Sequence, residues 1–115
     1  MEFLSVIFGI VFFGAFVTLF VKNIGLMKAW SNEKKQFKIM LTNPSDKTVN
    51  DYLKAYAKTT TGFAHIQNSN RGAQHRNDQL RQAQGWEAIK ENPNISEDLK
   101  MQLKNAFIAD GVPVK

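Results

Sequence analysis

Arg71, Arg76 and Arg81 recur every five residues and are the whole arginine content of the chain. With Asn70, Gln74, His75, Asn77, Gln79, Gln82 and Gln84 around them, they form a strip rich in hydrogen-bond donors. Such a strip suits phosphates or an acidic protein surface. Steps of five at about 100° per residue scatter the guanidinium groups around a helix, so a solvated polar segment is the plainer reading. The two histidines, His65 and His75, lie ten residues apart in a chain without cysteine, and no further imidazole stands at ligand spacing. No zinc site is specified. Asp78, three residues after His75, is placed to pair with it on a helix surface. Ser69 and Thr59–Thr61 lie near His65, but a nucleophile also needs a base held by a third group, and none is in view. Those threonines read better as a helix end. Glu87 and Glu91 sit in polar surroundings, whereas paired carboxylates divide acid and base roles only where burial separates their pKa values. Gly62, Gly72, Gly85 and Gly111 match no phosphate-binding loop. The expectation is a protein that is not an enzyme, with no cofactor and no metal.

The element that must position everything else is the run from Phe3 to Val21, nineteen residues without charge, proline or side-chain amide. As a helix it spans about 28 Å, the thickness of a bilayer's hydrocarbon. A helix satisfies its own backbone there and can cross alone. Charge follows the apolar run rather than preceding it, and KNIGLMKAW offers no small-residue cleavage site, so the run reads as a retained anchor and not a signal peptide. Phe8, Phe12, Phe16 and Phe20, with Phe3 upstream, make a drifting aromatic stripe. Gly14 and Thr18 lie opposite, a small pair that would let another helix approach; Ser5 and Gly9 form a second such pair on the aromatic side.

Fifteen basic against ten acidic residues leave a formal charge of +5, concentrated just after the apolar run. Lys22, Lys28, Lys34, Lys35 and Lys38 face only Glu33 between residues 22 and 44. This asymmetry satisfies the positive-inside rule, with the N-terminus outside and the C-terminal part cytoplasmic. It also suits anionic-lipid head groups, at about 1 kcal/mol for each lysine close to the surface.

Three parts follow: an anchor over 1–21, a basic juxtamembrane helix over 22–43 with Gly25 as a candidate kink, and a small helical domain over 44–115 with a polar loop or linker near 67–85. Trp30 fits either the head-group level or the domain core. Asn43-Pro44 opens the next helix, with Thr48 and Asp51 at capping-box spacing and Val49, Tyr52, Leu53 and Tyr56 on one face. Ser96 caps a last helix whose stripe is Leu99, Leu103, Ala106 and Phe107, stopped at Asp110-Gly111. Asn92-Pro93 echoes Asn43-Pro44, which suggests two helical hairpins. The expected fold is all-α, one transmembrane helix followed by a small domain of three to four helices.

The function this predicts is a single-pass membrane protein, a small structural or adaptor subunit of a larger membrane-associated assembly. Its partners are the lipid bilayer and other proteins of that assembly. Trp30, Trp86 and Phe107, with Arg71, Arg76 and Arg81, are the expected partner contacts. The alternatives are a membrane-tethered nucleic-acid binder and a small membrane component of a phage or mobile element, whether virion membrane, immunity or toxin protein.

Overall fold

A computed structural model describes residues 2–115 except Ser69, without the side chains of residues 2–4, 19, 22, 23 and 63. The expectations for the side chains of Phe3 and Lys22, and for Ser69, therefore lie outside the described residues. The described chain is all-helical: α1 Glu2–Thr42, α2 Asp46–Thr60, α3 Gly62–Asn68, α4 Ala73–Ile89 and α5 Glu97–Ala109. At about 1.5 Å per residue the 41 residues of α1 extend roughly 60 Å and set the long dimension of a molecule measuring 70 × 25 × 20 Å. Among the described residues no helix is long and apolar enough to cross a membrane. Within the run 3–21, the side chains described without interruption are those of 5–18.

α1 runs unbroken through Gly25, so the apolar run and the basic segment after it share one helix. No proline interrupts it, and one glycine costs a helix only about 1 kcal/mol. In the first half of this helix every described side chain from Ser5 to Val21 is exposed. The second half, from Leu26, forms one wall of a small helical head. Leu26, Glu33, Phe37 and Met40 recur at helical spacing and are buried against α2 and α4.

The start of α2 differs from the sequence expectation. Ser45 is the cap, accepting from the Thr48 amide at 3.2 Å while the Thr48 hydroxyl accepts from the Ser45 amide at 3.0 Å. Thr48 thus takes the place of the usual glutamate, and Asp51 is not part of the box. Val49, Tyr52 and Tyr56 enter the core as their spacing predicts. Tyr52 touches Phe37 (centroids 5.5 Å apart), Tyr56 and Phe107, and Tyr56 meets Phe107 edge-on at 5.2 Å. Ser96 caps α5 as expected, and Lys100, Leu103 and Phe107 are its buried residues. The tail after Gly111 packs back on the head: Val112 is buried, and Trp86 Nε1 donates to the Lys115 carbonyl at 3.1 Å.

The polar stretch 67–85 is not a linker. It holds the end of α3, a turn, and most of α4. α4 can lie close to α1 because Gly85 faces the Phe37 ring; a β-carbon there would fall inside any real carbon–carbon contact distance from that ring. Phe37 is itself buried. Gly85→Ala is expected to destabilise the head by about 1–3 kcal/mol through overpacking, although alanine is the better helix former. Chemical unfolding followed by tryptophan fluorescence checks this.

Candidate functional site

Two features are unusual for a chain of this size. The first is the N-terminal half of α1. Every described side chain from Ser5 to Val21 is exposed, Phe8 at 79%, Phe12 at 72% and Phe16 at 61%. Among the described residues, twelve large apolar side chains between Val6 and Ile24 are exposed. At about 1.5 kcal/mol for each one kept from burial, leaving them in water costs on the order of 15 kcal/mol, comparable to the whole stability of a small domain. The apolar surface runs all round the helix and has no polar face. Such a helix is suited to burial on every side, in a membrane or in the middle of a bundle. The one described hydroxyl in the Gly14/Thr18 pair is already satisfied, since Thr18 Oγ1 donates to the Gly14 carbonyl at 2.9 Å.

The second feature is a polar seam inside the head, between α1, α2 and α4. Glu33, on the buried stripe of α1, is 2% exposed. Tyr52 Oη donates to its Oε2 at 2.8 Å, Arg81 Nη1 donates to the same oxygen at 3.1 Å, and Arg81 Nη2 donates to Oε1. Arg81 also approaches Asp78 at 3.6 Å, and Arg71 Nη2 donates to the other Asp78 oxygen at 2.7 Å. Two buried carboxylates thus alternate with two guanidinium groups, and the charge closes to zero. Both cations also lie over rings, Arg71 4.2 Å from the Trp30 centroid and Arg81 4.5 Å from that of Phe37.

Burial, helped by the neighbouring Glu33 carboxylate, pushes the Tyr52 phenol well above its ordinary value. Burial and then Asp110 do the same to Tyr56. Burial alone would lower Arg81, but the hydrogen bond and charge of Glu33 outweigh it and the guanidinium is raised. Tyr52 and Tyr56 are the only tyrosines in the chain. A raised phenol stabilises the fold below about pH 10, where unfolded tyrosine is also protonated, and that stability is lost as pH rises beyond it. Phenolate absorbance is therefore expected to stay flat through pH 10–11 and to appear only with unfolding. Above about pH 10 stability should fall by up to about 1.4 kcal/mol per pH unit for each tyrosine. A spectrophotometric titration beside alkaline denaturation checks both.

The seam is filled rather than open. Its cavity, between Trp30, Tyr56, Asn68 and Asp78, measures about 10 Å³, room for one water. Among the described residues the buried Trp30 Nε1 and Asn68 Oδ1 have no hydrogen-bond partner, one a donor and the other an acceptor. Among the described residues Asp78 is engaged by Arg71 and Arg81 rather than by His75. Among the described residues no group of three or more His, Cys, Asp or Glu could hold a metal ion.

The sequence-derived partner contacts are redistributed. Trp86 and Phe107 are core residues, at 5% and 0% exposure, because α4 and α5 turn them inward. Arg71 lies in the turn before α4, so it and Arg81 reach the same aspartate, while Arg76 alone remains exposed. A nucleic-acid reading loses two of its three arginines to these ion pairs. Trp30 is half-buried beneath Arg71. Lys28, Lys34, Lys35 and Lys38 are exposed. Glu33 was the residue sequence reasoning passed over. Its signal was an acid at i+3 from Trp30 and i−4 from Phe37, on the stripe that enters the core. Compared with protein-family models, curated proteins and solved structures, the chain gives no match.

Proposed function

We propose that the chain is a single-pass membrane protein, anchored by the first half of α1, whose helical head is a non-enzymatic structural or adaptor element of a membrane-associated assembly. One observation carries this reading: a long helical arm that is apolar on every face and bare on every face. A groove on one partner would cover one side of the arm; acyl chains cover all of them. The lysines after the arm favour a cytoplasmic head and an N-terminus outside. The head supports an adaptor because its buried polar groups pair with one another across the helices. It presents a rigid surface on a rod that continues from the bilayer.

The test is reconstitution into phosphatidylcholine vesicles. The chain is expected to float with the vesicles and to resist carbonate extraction. In inverted membrane vesicles a C-terminal tag should be open to protease. Full recovery in the soluble fraction without detergent would refute the anchor, and protection of the tag would refute the orientation.

A further inference from the structure

Along the second half of α1, the face turned away from the head carries Lys28, Lys34, Lys35 and Lys38, all exposed. Among the described residues none of them joins an ion pair. The single acid of this stretch, Glu33, points the other way into the seam. The ridge is not purely charged, since Ile24, Met27 and Ile39 are exposed on the same side, Met27 at 67%. Beside it runs a groove lined by Met27, Trp30, Ser31, Lys34, Arg71 and Gln74.

The occupant follows from height and chemistry, given the anchor proposed above. If the hydrocarbon ends near Val21, the unbroken helix places Lys28 about 10 Å above it, Lys34 about 20 Å and Lys38 about 26 Å. Head groups fill only the first 5–8 Å or so, and screening acts over about 8 Å at physiological salt. Lys28 therefore feels the lipid surface, whereas Lys34, Lys35 and Lys38 stand above its reach. A usual tilt of about 20° lowers them by less than 2 Å. A parallel second copy would bring one basic ridge against another. Nucleic acid fits poorly with apolar side chains set among the lysines and with Arg71 and Arg81 held in internal ion pairs. We propose that this ridge and its groove receive an acidic amphipathic helix of another protein rising from the same bilayer. Its carboxylates would meet Lys34, Lys35 and Lys38, and its apolar side chains would meet Met27 and the edge of Trp30.

The test uses the full chain in phosphatidylcholine vesicles with a synthetic single-span peptide. The peptide's juxtamembrane helix carries Glu at i, i+4 and i+7 beside a leucine stripe. Energy transfer between labels is expected to show association at least ten-fold tighter than with the Gln-for-Glu peptide. Lys34→Glu/Lys35→Glu/Lys38→Glu should remove that difference while flotation and head melting stay unchanged. Equal transfer with Glu and Gln peptides overturns the proposal. So does a triple variant that binds as before, a single-stranded oligonucleotide that displaces the peptide, or loss of binding when phosphatidylserine is added. If the chain does not float at all, the anchor fails instead, and the acidic helix offered in solution still reports on the ridge.

Discussion

Lysine at both Phe12 and Phe16 is expected to release the chain from bilayers without unfolding its head. Fourteen large apolar residues between Phe3 and Val21 favour insertion by about 0.3–0.6 kcal/mol each, about 4–8 kcal/mol together. Two lysines near the middle of the span cost about 5–7 kcal/mol, and the lost phenyl groups add roughly another 1 kcal/mol. The balance then sits near zero. Flotation should fall to a minor fraction, with the remainder aggregated through what is left of the apolar arm. Phe12→Leu/Phe16→Leu, which preserves hydropathy, should float as the parent does. Head melting should be the same in all three, because neither residue contacts the head. Undiminished flotation of the lysine variant would mean that something other than acyl chains surrounds the arm.

Arg81→Ala is expected to cost the head about 3 kcal/mol. The substitution leaves Glu33 with a single neutral donor, Tyr52, in a site where its side chain is 3% exposed. Removing one partner of a buried pair costs about 3–5 kcal/mol, mostly through the charge left behind. Arg81 itself is about a quarter exposed, which favours the lower end. For a domain this small the loss lowers Tm by on the order of 12–24 °C. Replacing the whole pair, Glu33→Leu with Arg81→Met, should recover most of it, since two apolar groups of similar size carry no desolvation debt. Tyr52→Phe should cost about 1.5–3 kcal/mol, the range for a hydrogen bond to a charged acceptor. Urea denaturation read by tryptophan fluorescence separates these variants. An Arg81→Ala variant as stable as the parent would show that water, not Arg81, solvates Glu33.

These two results bear on different parts of the chain, and the parts differed in how well residues alone revealed them. α2 and α5 were legible because their buried faces are ordinary, Val49, Tyr52 and Tyr56 on one and Leu103 and Phe107 on the other; the Ser96 cap of α5 was legible too, whereas the Ser45 cap of α2 was not. α4 was not. Its inward face runs Asp78, Gln82, Gly85, Trp86 and Ile89, a helical spacing hidden from any search for apolar periodicity. Leu80, the most conspicuous apolar residue in that stretch, is 55% exposed on the other side. The reason is reciprocal: α1 places Glu33 and α4 places Arg81 where each needs the other. A charge buried by tertiary pairing leaves no local mark except its position on a core stripe. The arm was legible by composition, because a run of uncharged residues needs no partner to be recognised. Its bareness on every side is what the structure adds.

The most direct test of the anchor is accessibility along α1 in sealed vesicles. The chain has no cysteine, so each introduced one reports alone. Single cysteines at positions 8, 10, 12, 14, 16, 28, 34 and 38 would be challenged with a charged, membrane-impermeant maleimide. The expected pattern is no labelling from 8 to 16 until detergent is added, with full labelling at 34 and 38 when the head faces outward. Labelling of 8 to 16 at the rate of the head positions, in intact vesicles, would contradict a helix surrounded by lipid.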